Sequence, residues 1–302
     1  MLTKEELIKW FKLGQVTGLG LQKIRKLSNF FDGLSAIFNA TDSELLQTRI
    51  FSEVMLAEFN KLRNASDENF ARNIDECKEK DIHIVPLIDP DYPKQLNYLS
   101  SPPLTLFLIG NTNLINDKKI AIVGTRNPDK KAVDYTFSLS KKIAEHRLTV
   151  ISGGASGIDA AAHKGALSIN NGKTISILGA GFNHPYPPEN IDLFEQIKEK
   201  GLLVSEHLPN FKGSRISYLQ RNRITSGLSD ALFLVAATKS GGSLTQIKIA
   251  HSQRKLIYCP KLEQNILPND GVKEAIANYD AQQMESSDHF LKVISSSLNS
   301  FL

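Results

Sequence analysis

Two short loops of small residues carry the chemistry this 302-residue chain offers. Ser152-Gly153-Gly154-Ala155-Ser156-Gly157 follows the apolar run LTVI and leads into the alanine-rich IDAAAHKGAL. Lys239-Ser240-Gly241-Gly242-Ser243 follows ALFLVAAT and leads into LTQIKIA. A third turn, Gly124-Thr125-Arg126, follows KIAIV and adds a guanidinium. Glycine lets backbone N–H groups approach an oxygen closely, hydroxyls donate, and the N-terminus of the next helix adds partial positive charge. Such loops grip an anion, above all phosphate. SGGASGID is not GxxxxGK[ST], which speaks against a Walker-type triphosphate site. Nor is it GxGxxG with an acidic residue closing the next strand, so a dinucleotide site is not expected.

Asp159 and His163 stand four apart and share a helix face beside the first loop. They read as an acid–base pair or, preferably, as a turn-stabilising carboxylate and a hydrogen-bonded imidazole. Cys77 and Cys259 belong to no CxxC or Cys/His cluster. No disulfide framework, metal or cofactor is expected, and a reducing cytoplasm fits. The net charge of +4 permits an anionic partner without demanding one.

The loops need elements to position them. Between 118 and 260, apolar runs (KIAIV, LTVIS, TISILG, LLVSE, ALFLVAA, KLIYCP) alternate mostly with helical segments. That rhythm predicts an α/β fold: a mostly parallel, Rossmann-like sheet with helices on both faces. Ligands bind such sheets beyond the carboxyl ends of the strands. Gly179-Ala180-Gly181 and Ser205-Glu206-His207 occupy two further ends.

Residues 1–68 read as a small all-helical domain in which TDSELL offers Thr41 or Asp42 as an N-cap. There QVTGLGLQKIRKL, with Gly18, Gly20, Lys23, Arg25 and Lys26, suits a helix-hairpin-helix or an ordinary turn. Residues 69–285 form the expected Rossmann-like domain, its proline-rich start (DPDYPKQLNYLSSPP) a clamp. Residues 286–302 read as a terminal helix with a serine-rich break and no clear winged helix. MLTKEELIKWF is charged and amphipathic, unlike a secretory leader, and no apolar run reaches membrane-spanning length.

Seven blocks in order give the chain a family likeness: DPDYPKQL with PPLTLFLIGN, VGTR, ISGGASGIDAAAHKGAL, NGKTISILGAG with YPPEN, GLLVSEHLP, YLQRNRITSGLSD and ATKSGGSLT. With these the sequence resembles the DNA-processing protein A (DprA, or Smf) family. The resemblance implies a non-enzymatic, single-stranded DNA-binding protein that assists loading of a RecA-type recombinase in recombination or natural transformation. It also implies an extended Rossmann-like body and a homodimer. Carried over by motif, Arg126 and Lys173 are phosphate-contacting cations, SGGASG and Arg221-Asn222-Arg223 line the same pocket, and Tyr218 stacks on a base. GTR stands for the usual GSR, Ala236 for an acidic residue and SGGSL for SGSL. Read without the resemblance, Arg221 and Arg223 could cap a helix or pair with Asp230 or Glu206, Lys173 could be solvated, and Tyr218 could be core.

Two rival functions use the same loops. A nucleoside-monophosphate phosphoribohydrolase needs a carboxylate shortly after its glycine loop, and here Gln246 stands near that place. A sensor of a nucleotide-derived signal would bind a small ligand in the same pocket.

Overall fold

The computed structural model describes residues 2–27 and 29–299. The chain divides into two compact units, Met1–Tyr92 with Ser101–Leu106, and Pro93–Ser100 with Phe107–Leu302.

The first unit holds helices α1 (Lys4–Gly14), α2 (Leu21–Leu27), α3 (Gly33–Asn39), α4 (Asp42–Gln47), α5 (Glu53–Arg63) and α6 (Glu68–Glu79), then strand β1 (His83–Pro86). Capping boxes start two of them: Thr3 with Glu6 opens α1 and Thr41 with Glu44 opens α4. Leu7 and Ile8 of α1 pack with Ile74 of α6. This contact makes α6 part of the helical unit and moves the boundary from the expected 68/69 to Tyr92. The proline-rich segment returns to this unit, where the Tyr92 hydroxyl donates to Pro103 O and the Trp10 indole N–H to Thr105 Oγ1. At the hairpin, the N–H and hydroxyl of Thr17 donate to Glu58. The α1–α2 turn therefore carries a carboxylate of its own.

The second unit runs β2 (Thr105–Gly110, entering from the first unit), β3 (Lys119–Val123), α7 (Lys130–Glu145), β4 (Thr149–Ser152), α8 (Ile158–Leu167), β5 (Thr174–Leu178), α9 (Ile191–Lys200) and β6 (Leu202–Ser205). It continues with α10 (Arg215–Gln220), α11 (Asn222–Leu228), β7 (Ala231–Leu234), α12 (Gly242–Ser252), β8 (Leu256–Pro260), α13 (Asp270–Asn278), β9 (Gln282–Met284) and α14 (Ser287–Asn299). From β2 onward the strand order is β2-β6-β5-β4-β3-β7-β8-β9. All neighbours are parallel except β2, which is antiparallel to β6. The central strands are buried along their whole length, because helices cover both faces. This is the expected α/β, Rossmann-like class.

Two readings of the sequence need correction here. Residues 286–299, read as a terminal segment outside the 69–285 domain, belong to its core: Phe290, Leu291 and Ile294 of α14 pack beside Phe233 and Tyr258. The serines do not break α14 before Asn299, since Ser296 and Ser297 donate their hydroxyls to the carbonyls of Lys292 and Val293 four residues back. Residues 300–302 lie outside the described part.

Candidate nucleic-acid interface

The chain leaves β3 toward β4, β5 and β6 on one side and returns to β7, β8 and β9 on the other. The switch point lies between β3 and β7, where α/β sheets open a crevice at their carboxyl edge. The loops after β3 and β7 flank it and touch: Thr125 N–H donates to Ala236 O at 2.8 Å. Arg126 is exposed and makes no ion pair among the described residues. Its charge is felt at both the Tyr218 hydroxyl and the Arg221 guanidinium.

The loop after β4 holds a carboxylate of the protein itself. Asp159, in the first turn of α8, accepts N–H bonds from Gly153 (3.2 Å) and Ala155 (3.3 Å). Burial pushes its carboxyl above the ordinary carboxylate range, opposed by Arg221 and these amides. Ser152 is buried and donates to Ile122 O. Ser156 donates to Glu189 at 2.5 Å, and Asn190 anchors the loop by donating to Gly154 O. The N–H groups of Gly154, Ser156 and Gly157 make no hydrogen bond among the described residues. Much of the polar capacity that suggested a phosphate cradle therefore serves the loop internally, and Glu189 brings negative charge to its outer side.

The imidazole of His163 is fully buried. Thr174 gives its one hydroxyl proton to Val150 O and so accepts from His163 Nδ1–H at 2.7 Å. That assignment leaves Nε2 bare, buried and unpartnered. Burial, aided by the Arg221 charge, pushes the imidazole pKa down to about 3. His163 is a neutral core residue, as the preferred sequence reading held, and does not form a proton-transfer pair with Asp159.

Arg221 and Asn222 are buried and Arg223 is partly buried and paired within the chain, which corrects the block's assignment to direct phosphate contact. Arg221 is only 5% exposed and donates to Ile177 O beneath the rim. Gly153 lies flat against its guanidinium, where an added Cβ would fall 2.0 Å from Nη1. Asn222 is buried at the start of α11. Arg223 makes a two-pronged pair with Glu206, at 2.7 and 2.6 Å, one of the alternatives open from sequence. Lys173 is also corrected: it precedes β5, so strand direction sets it at the amino edge, where it pairs with Asp117 at 2.8 Å.

Tyr218 remains at the rim, half-buried, its ring packed over Gly179. The exposed Tyr186 lies beside it, with ring centroids 5.5 Å apart and tilted by 49°. Burial raises the Tyr218 pKa, so its hydroxyl stays protonated. Next to them, the loop from β6 to α10 packs on the loop after β5 through Gly181 N–H to Phe211 O. Lys212 on this loop and Arg215 at the start of α10 are exposed cations that the sequence reading missed. Their signal was present, since FKGSR also follows a strand end, but the reading stopped at His207.

After β7, Lys239 is 72% exposed and pairs loosely with Glu274 at 3.5 Å. Its N–H donates to Asp270. Ser240 and Gly242 are exposed, and Gly241 and Ser243 partly so. Gln246 is buried on α12 with an unpartnered Nε2, and it supplies no carboxylate there. Among the described residues, no cluster of His, Cys, Asp or Glu could hold a metal, and no helix is long and apolar enough to cross a membrane.

The rim thus sets Arg126 at the switch point, a tyrosine pair and Lys212/Arg215 on one side, and Lys239 on the other. Comparison with known proteins bears on this arrangement. A family model described as DNA recombination-mediator protein A matches residues 83–295. The chain is 32% identical over 261 residues to Protein Smf of Synechocystis, covering 85% of this chain and 65% of that protein. It is 32% identical over 217 residues to DNA processing protein DprA of Bacillus subtilis, covering 72% and 73%. The match thus spans about two thirds of the Synechocystis relative's length. Among solved structures, DNA processing protein A of Streptococcus pneumoniae superposes with a TM-score of 0.79 at 25% identity, covering 96% of this chain and 98% of that one. DNA processing protein A of Helicobacter pylori, a structure described for its single-stranded DNA binding mode, gives 0.65 at 28% identity, covering 72% and 96%.

Proposed function

The chain belongs to the DNA recombination-mediator protein A family, and we propose that it binds single-stranded DNA along the carboxyl rim of its sheet without transforming it. The observation that carries this reading is Arg126, exposed and without an ion pair among the described residues, beside the Tyr218–Tyr186 pair. A cation for the backbone and an aromatic face for a base are what a single strand requires. Lys212, Arg215 and Lys239 extend the positive track, and exposed Ser240, Gly242 and partly exposed Thr125 supply hydroxyl and backbone donors. Arg221 acts from below by fixing the loop after β4, and Arg223 by fixing the start of α11.

The same reading assigns the protein to protection of single strands, delivery to a RecA-type recombinase, and work as a homodimer in the cytoplasm. The cysteines suit that compartment: both are buried, and burial pushes each thiol up to about 12, far from reactivity. Single-strand binding is tested with oligonucleotides of increasing length. Affinity that rises with length and resists competition by mononucleotides is the expected result. Competition by a mononucleotide at this site would favour the sensor, and release of free base from monophosphates would favour the hydrolase.

Glu189 gives a sharper expectation. Its carboxylate holds the Ser156 hydroxyl, and hydrogen bonding keeps it ionised below the usual carboxylate range. An incoming phosphate meets like charge there. Glu189→Gln should tighten single-strand binding about three- to ten-fold at low salt, with the gain shrinking as salt screens it. Titrations at two ionic strengths check both parts.

A further inference from the structure

The amino edge of the sheet, opposite the rim, holds a partly enclosed cavity of about 310 Å³. It is lined by Gln95, by Lys118 ahead of β3, by the end of α11 and the turn into β7 (Leu228 to Asp230), by the turn from α12 into β8 (Gln253 to Leu256) and by Ile294 and Ser297 of α14, and it plays no part in the reading above. Among the described residues its wall carries three cations, Lys118, Arg254 and Lys255, against one carboxylate, Asp230. That carboxylate is already engaged. Its Oδ2 accepts the Lys119 N–H at 2.7 Å and its Oδ1 lies 3.6 Å from Lys118 Nζ. Lys255 donates two of its three ammonium protons to Gly227 O and Ser229 O, which fixes the head at the wall. Arg254 is exposed and has no ion pair among the described residues. The wholly buried ammonium of Lys119, held by Ile115 O and Asp117 O, adds a further positive charge nearby.

The rest of the wall is not built for a bare ion. Leu228, Leu256 and Ile294 line it with apolar surface. Gln253, whose amide N–H₂ donates to Arg223 O, leaves Oε1 buried and without a partner. The volume suits a small ligand, at the lower end of the usual range for such sites.

From the charged wall and the apolar wall together, we infer that this cavity binds a nucleoside monophosphate. The phosphate meets Lys118 and Arg254, and the sugar or base packs on Leu228, Leu256 and Ile294. The site is separate from the single-strand rim and does not depend on that assignment.

Calorimetric titration of the full chain with dAMP tests the inference, with inorganic phosphate and a single-stranded oligonucleotide as parallel ligands. One dAMP should bind per chain in about the millimolar range or tighter, and binding should persist when the oligonucleotide is already bound. The double variant Lys118→Ala/Arg254→Ala should weaken dAMP at least about ten-fold, the loss of about 1.4 kcal/mol, with unchanged Tm and oligonucleotide affinity. Arg126→Ala should leave dAMP binding intact. No saturable dAMP binding would overturn the inference, as would loss of dAMP binding in Arg126→Ala or inorganic phosphate binding as tightly as dAMP.

Discussion

Replacing Arg221 with Ala is expected to destabilise the larger unit by about 3–5 kcal/mol, because it removes the charge that faces a buried carboxylate. Arg221 and Asp159 are both more than nine-tenths buried. The guanidinium satisfies Ile177 O and seats Gly153, while Asp159 gathers the N–H groups of Gly153 and Ala155. Without Arg221, Asp159 must remain charged in a dry site or take up a proton, and the loop after β4 loses its floor. A fall in Tm of roughly 6–20 °C follows for a domain of this size. Adding Asp159→Asn should recover part of it by removing the stranded charge. Thermal unfolding of the single and double variants measures this directly. A variant with unchanged Tm but weakened DNA binding would return Arg221 to the surface role that its motif suggested.

The second large effect is on acid stability. His163 stays neutral in the folded chain down to about pH 3, whereas an unfolded histidine protonates near 6.5. Above pH 6.5 both states hold a neutral imidazole, and the group contributes no pH dependence. Below it the unfolded chain takes up a proton that the folded chain refuses. Stability therefore falls by about 1.4 kcal/mol per pH unit as pH drops toward 3, which amounts to about 2 kcal/mol by pH 5. His163→Asn keeps an amide to meet Thr174 but cannot titrate. It should be less stable than the parent at pH 7, because it leaves a cavity, and the gap should narrow by about 2 kcal/mol at pH 5. Denaturant unfolding at the two pH values checks this, and parallel losses in both proteins would refute a buried neutral imidazole.

These two residues mark where the sequence was legible and where it was not. Strands β3 to β8 were readable because each is a short apolar run buried on both faces, and their order along the chain implied a parallel sheet. β9 escaped notice because Gln282-Gln283-Met284 is three residues long and mostly polar. The boundary at 68/69 failed because a contact between Ile74 and α1 is not written in local composition. Arg126 and the rim loops could be placed from strand direction alone. The same rule, applied to Lys173, would have set it on the opposite edge, since it precedes its strand rather than following it. For Arg221 and Arg223 the family motif suggested surface cations, and the sequence carries no direct sign of burial. The signals were indirect: a glycine to receive a guanidinium, and the acids Asp159 and Glu206 to meet the two charges.

The account stands on Arg126 as a phosphate contact at the switch point. The most direct test is the salt dependence of oligonucleotide affinity for the parent and for Arg126→Ala. If about four phosphates are neutralised, log K should fall against log salt with a slope near −2.8, and the variant should bind about ten-fold more weakly at low salt with a slope shallower by about 0.7. Equal affinities and equal slopes at matched salt would contradict it.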